Sequence, residues 1–235
     1  MCGLVGAILQ KPTDQDLELL RRCVLEASIR GRHATGVAWV RKRKIHTEKA
    51  AIPAEVFLEK AEPLRHLLNE DGSLYFLAHT RYSTSDLKFN QPLGDDQFAI
   101  AHNGVVSQEP KAKWKKLYGY SCATGNDSEL LLQALRHKHS PLEKFPDCSA
   151  AVIELHSNKQ IRAYRNGKRP LYFTFRKNGI VITSTADIGK RAGLKDMVPL
   201  SAGQYLLVKS SGAAVIDWVA ADLADLQPQL KRNSR

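Results

Sequence analysis

The chain begins "MCGLVG", placing a cysteine second. Removal of Met1 would leave Cys2 with a thiol and a free α-amine on one carbon. An amine of reference pKa about 7.7–8.0 is a base suited to taking a thiol proton near neutrality, so one residue would supply nucleophile and proton acceptor. Attack on a carbonyl needs donors for the oxygen that becomes negative. In "AHNGVV" the Asn103 side-chain amide and the Gly104 backbone N–H are suited to that, since glycine lets a backbone come close. "HTRYST" carries Arg81, whose planar fork fits a carboxylate, and Thr84, which adds a hydroxyl. "GNDSELL" carries Asp127, which would either complement a helix N-terminus or hold a substrate ammonium.

Each residue has an ordinary structural account: Cys2 as a small packed apolar group, Asn103-Gly104 as a turn, Arg81 in a salt bridge, Asp127 as a cap. Together they describe a pocket for an α-amino acid whose side-chain amide is cleaved, and L-glutamine fits. "MCGLVG", "RGRHATG", "HTRYST", "AHNGVV" and "NDSELLL" resemble, in order and spacing, the glutaminase domain of class II glutamine amidotransferases. The later stretches "RNGKRPLYF", "VITSTADI" and "PLSAGQYLLV" look like strands of that domain in amidophosphoribosyltransferase and asparagine synthetase. "RYST" and "NDSELLL" lie closest to the former.

The resemblance covers Cys2 to about Val208. It implies an N-terminal nucleophile hydrolase fold, a four-layer αββα sandwich. It also implies that Cys2 forms a glutamyl thioester and that Asn103 and Gly104 form the oxyanion hole. Arg81, with Thr84, would hold the glutamine carboxylate and Asp127 its ammonium, while Arg30 supports the nucleophile. His33 stands where many relatives carry an acidic residue. Tyr82 replaces the Trp of the sugar-aminating branch, and Ser85-Asp86 its His-Gly.

The elements that must position these residues are read from periodicity. "GLVGAIL" predicts a buried strand, and "DQDLELLRRCVLEASIR" a helix capped at Asp14 with Leu17, Leu20, Val24 and Ala27 on one stripe. "ATGVAWVRKRKIHTEKA" predicts a hairpin bent at its basic run, and "PAEVFLEKAEPLRHLL" a helix broken at Pro63. "SLYFLAHT" and "QFAIAHNGVV" predict strands, and "NDSELLLQALRHK" a helix with Asp127 and Glu129 in its first turn. Four strands follow in "SAAVIELH", "KQIRAYRN", "PLYFTFRK" and "GIVITST", the last two turning at Asn178-Gly179. A short helix from Asp187 and a final hairpin complete an α+β order. One domain is expected over residues 2–226, with a polar basic tail at 227–235.

The 235 residues are 43% hydrophobic and carry a net charge of +11. No apolar run reaches the roughly 20 residues a membrane helix needs, and no signal segment opens the chain, so a cytoplasmic protein is expected. The four cysteines are widely spaced, and no motif calls for a disulfide, a metal or an organic cofactor. No acceptor site for ammonia is legible after the matching region, so a separate synthase or acceptor protein is expected as partner. Two alternatives remain. A hydrolase of another amide would keep Cys2 and have no use for Arg81 and Asp127. A non-catalytic basic subunit would bind an acidic protein, or nucleic acid through "KAKWKK" with Trp114 stacked on a base.

Overall fold

"GLVGAIL" is apolar at nearly every position, and a strand of that kind needs cover on both faces. The computed structural model, which describes residues 1–60, 64–83, 90–209 and 212–217, supplies it. In chain order, β1 (Gly3–Gln10), α1 (Asp14–Ala27) and a 3-10 turn (Ser28–Arg30) are followed by β2 (Ala34–Arg41) and β3 (Lys44–Ala50). Next come α2 (Ala54–Lys60), a second 3-10 turn (Leu64–Leu67), β4 (Ser73–Arg81), β5 (Leu93–Gly94) and β6 (Phe98–Val105). The helices α3 (Lys111–Tyr118), α4 (Ser128–Arg136) and α5 (Pro141–Lys144) precede β7 (Ser149–His156), β8 (Gln160–Arg165), β9 (Tyr172–Arg176) and β10 (Gly179–Thr183). The chain continues through α6 (Ala186–Ala192), β11 (Val198–Pro199), β12 (Gln204–Lys209) and β13 (Gly212–Asp217).

The strands form two antiparallel sheets, one ordered β11-β9-β10-β1-β4-β2-β3 and the other β13-β12-β8-β7-β6-β5. Alternation along each strand sorts its side chains into three apolar layers. Leu4 and Ile8 of β1 and Tyr75 and Leu77 of β4 meet Ala99, Ala101 and Ile153 of the other sheet, forming the core between sheets. Their neighbours Val5, Ala7, Leu74 and Phe76 face Leu17, Leu20 and Val24 of α1. On the far side, Ile100 and Val152 face Trp114 of α3 and Leu130 and Leu131 of α4. Helix, sheet, sheet, helix is the αββα order, in an α+β chain.

The expected stripe of α1 is buried, but its cap is Thr13 and not Asp14. A cap needs its own acceptor aimed at the third residue onward. Thr13 Oγ1 accepts from Asp16 N at 3.3 Å while the Asp16 carboxylate accepts from Thr13 N at 2.9 Å. Asp14 lies inside the first turn and pairs with Arg65. The β9–β10 turn sits one residue earlier than expected, because Gly179 already pairs with Arg176. The break at Pro63 lies outside the described residues, as do Thr84 and the tail 227–235.

The basic hairpin end is a two-residue turn at Lys42 and Arg43, with φ of 51° and 59°. Twisted strands require positive φ there, and a side chain makes that conformation costly by roughly 1–2 kcal/mol per residue. Arg43→Gly is therefore expected to stabilise the fold by about 1 kcal/mol, seen as a higher urea midpoint with an unchanged slope. A lowered midpoint would contradict this account of the turn.

Candidate functional site

Antiparallel pairing gathers the chemical residues at one end of the sandwich. Gly3 pairs with Thr80, so the start of β1 lies beside the exit of β4, and Ala34 pairs with Arg81. The end of β6, carrying Asn103 and Gly104, pairs with Ala151 and Ala150. A cleft of about 310 Å³ opens there, lined by Cys2, Arg81, Tyr82, Gly104 and Asp127 among others.

Asn103 joins the two sheets. Its Oδ1 accepts from Cys2 N at 3.0 Å, and because a backbone N–H can only donate, the other end of the amide must be the Nδ2 donor. That Nδ2 is buried with no hydrogen-bond partner among the described residues. A buried donor left unpaired costs about 1–3 kcal/mol, which an incoming oxygen would recover. Gly104 follows at φ 153°, where a Cβ would overlap Ser149 O and stand 2.8 Å from His102 Nε2. Only glycine fits this strand end.

The Cys2 thiol is pushed up by burial, against the pull of the Tyr82 backbone N–H, the chain's N-terminal charge, Arg81 and Arg30. Burial wins, so the thiol holds its proton and a base is needed to remove it. Arg30 Nε donates to Cys2 O at 3.1 Å, which fixes the backbone at Cys2. Gly31, next to it, has no room for a Cβ against the Arg81–Tyr82 backbone. Arg81 is buried in the cleft wall with Nη1 donating to Asn90 Oδ1 at 2.7 Å. His33 accepts from Ser83 N at 2.9 Å and packs its ring 5.0 Å from that of Tyr82.

Asp127 precedes α4 at its N-cap, yet its side chain does not cap the helix. Its Oδ2 accepts from Val106 N at 2.6 Å and Ser107 N at 3.3 Å, tying down the loop that leaves Gly104. Asn126 Oδ1 takes the Ser128 N–H at 3.0 Å instead. Of the seven residues singled out from sequence, six gather around the cleft: Cys2, Arg30, Arg81, Asn103, Gly104 and Asp127. Thr84 lies outside the described residues.

Periodicity did not reveal the buried polar relay behind Asn103. Ser149 O can only accept, so His102 carries its proton on Nε2, 3.1 Å away, and its Nδ1 accepts from Ser128 Oγ at 2.9 Å. Gln91 Nε2 donates to Ser128 Oγ at 3.0 Å and to His102 O at 3.2 Å, while Gln91 Oε1 accepts from His102 N at 2.6 Å. The relay thus clamps the strand immediately before Asn103 and Gly104. Its one sequence signal was the alternation of β6, which turns His102 toward α4 and Asn103 toward the other sheet.

Trp114 is 3% exposed and donates its indole N–H to Glu109 O at 2.7 Å, so it packs under α3 and offers no face to a base. No helix among the described residues is long and apolar enough to cross a membrane.

Burial lowers both inner histidines, His79 to about 3, helped by Arg81, and His102 against the counter-pull of Asp127. Each folded value lies below the unfolded one, so their contribution to stability is full above pH 6.5 and is lost as pH falls below it. The proton His79 takes up on unfolding gives a slope approaching about 1 kcal/mol per pH unit, and His102 adds to it in the same direction. Urea unfolding is expected to show a loss of about 2 kcal/mol or more between the histidine range and about pH 5, above the carboxylate range. A flat profile over that window would contradict neutral burial of these rings.

A sequence profile of the glutamine amidotransferase domain matches residues 79–188. Over 194 residues the chain is 24% identical to glutamine–fructose-6-phosphate aminotransferase (isomerizing) of Sulfurisphaera tokodaii, covering 77% of this chain and 31% of that protein. The Pseudomonas aeruginosa protein of the same name is 29% identical over 166 residues, covering 66% of this chain and 25% of its own. The chain thus spans a third or less of these relatives. The fold is similar to the glutamine phosphoribosylpyrophosphate amidotransferase from B. subtilis, with a TM-score of 0.72 at 17% identity over 94% of this chain and 50% of that one. It is also similar to a glutamine aminotransferase class-II domain protein from Silicibacter pomeroyi, with a TM-score of 0.56 at 16% identity over 93% and 99%.

Proposed function

The chain carries a class II glutamine amidotransferase domain, and from that premise we propose that it hydrolyses the side-chain amide of L-glutamine with Cys2 as nucleophile. The observation that supports this best is the Asn103 amide, with one end on Cys2 N and the other a buried, unpaired donor.

In this reading Met1, 61% exposed, is removed first. The freed Cys2 amine, still donating to Asn103 Oδ1, takes the thiol proton and the sulfur attacks the γ-carbonyl. Charge develops on the carbonyl oxygen, which receives Asn103 Nδ2 and the Gly104 N–H. The amine returns its proton to the departing nitrogen, ammonia leaves, and water cleaves the thioester to glutamate. Arg81 holds the α-carboxylate, Thr84 assists it, and Asp127 takes the α-ammonium beside the loop it already orders. Arg30 keeps the Cys2 carbonyl fixed while the bond to Met1 is cut.

The ammonia passes to an acceptor on a separate synthase protein. Support for a docking rim comes from Tyr82 and Val105, which line the cleft and are exposed, and from exposed Ile29 in the turn carrying Arg30.

Glutamate release by protein with a mass-verified Cys2 terminus tests the reading. Cys2→Ala is expected to abolish it and Asn103→Ala to lower kcat by about 10²–10³-fold, the usual loss on removing one oxyanion donor. Arg81→Ala should raise KM strongly. Release that persists in Cys2→Ala would rule out the mechanism.

A further inference from the structure

Met1 occupies the space beside the Cys2 nitrogen, which is where a departing amine must stand to collect its proton. Two cations line that space. Arg30 Nη2 lies 3.4 Å and Arg169 Nη1 3.9 Å from Met1 Sδ. A thioether is a weak acceptor and carries no charge, so it neutralises neither. None of the ion pairs among the described residues involves Arg30 or Arg169. Arg169 Nε is in addition buried without a hydrogen-bond partner there. Burial and the nearby Arg169 charge both disfavour the charged form of Arg30. An anion between the two guanidiniums would relieve this, and loss of Met1 opens the room for one.

For glutamine the leaving group is ammonia, which has no use for such a pair. We propose that the space vacated by Met1 is a leaving-group subsite for amines bearing a carboxylate, so that the protein also cleaves γ-glutamyl amides of amino acids, a proposal that rests on the Cys2 reading above. The reaction keeps its form. Cys2 Sγ bonds to the γ-carbonyl carbon, the bond from that carbon to the amino-acid nitrogen breaks, and the thiol proton travels through the Cys2 amine to the departing nitrogen. Water then cleaves the thioester, releasing glutamate and restoring the thiol, with no change of oxidation state. Arg81 and Asp127 grip the glutamyl end as before, and the Arg30–Arg169 pair grips the new carboxylate.

The test compares kcat/KM for γ-glutamylglycine and γ-glutamylmethylamide, two substrates with a substituted leaving nitrogen of which only the first carries a carboxylate. Protein with a verified Cys2 terminus is expected to prefer γ-glutamylglycine by about tenfold or more, as a charge-assisted contact provides. Arg169→Gln should bring the ratio toward one, and Arg169→Lys should retain part of it. A ratio at or below one in the unaltered protein overturns the subsite while glutamine turnover leaves the nucleophile standing, and this holds even where Arg169→Gln fails to fold. A preference that Arg169→Gln leaves intact also overturns it. Turnover surviving Cys2→Ala instead overturns the nucleophile itself.

Discussion

One hydrogen bond, from Cys2 N to Asn103 Oδ1, fixes the geometry on which the site depends. It crosses from the residue just before the first strand of one sheet to the end of a strand in the other, over 101 positions of sequence. Its direction also dictates chemistry: once the oxygen of the amide is committed to Cys2, the nitrogen points toward an acceptor that the described residues do not provide. A donor held ready in this way needs no rearrangement when charge develops, which is the condition under which such groups contribute most.

Holding Asn103 in that attitude requires the strand before it and the loop after it to be rigid. Behind it, the Gln91, Ser128 and His102 side chains pass hydrogen bonds around a closed circuit that works only with His102 neutral and protonated on Nε2. Ahead of it, the Asp127 carboxylate takes two backbone N–H groups of the loop leaving Gly104. Asp127 therefore has a positioning duty in addition to any contact with substrate. The glycines act by absence: at 31 and 104 a Cβ would meet backbone from a neighbouring strand or its exit, so the segments around Cys2 and Asn103 approach as closely as main chain allows.

Much of this was legible in the residues themselves. Alternation and apolar runs located the strands, because a buried strand must be apolar on each covered face, and the short motifs located Cys2, Arg81, Asn103, Gly104 and Asp127. What stayed hidden depends on partners distant in sequence. Nothing local distinguishes His102 from any buried histidine until Ser128 and Ser149 arrive from other elements. Asp127 looks like a cap because its neighbours begin a helix, and only the fold shows Val106 and Ser107 above it. Thr13 outcompetes Asp14 as a cap through Asp16, a local signal that the first acidic residue obscured. The pairing of Arg30 with Arg169 around Met1 joins positions far apart in the chain, and no periodicity announces it.

The central claim is that sulfur at position 2, freed of Met1, carries the glutamyl group. Acid-quenched protein taken during steady glutamine turnover and mapped by peptide mass spectrometry reads this directly. The account predicts a glutamyl adduct on an N-terminal peptide that starts at Cys2. An active protein whose N-terminal peptide retains Met1, or whose glutamyl adduct sits on another residue, would contradict it.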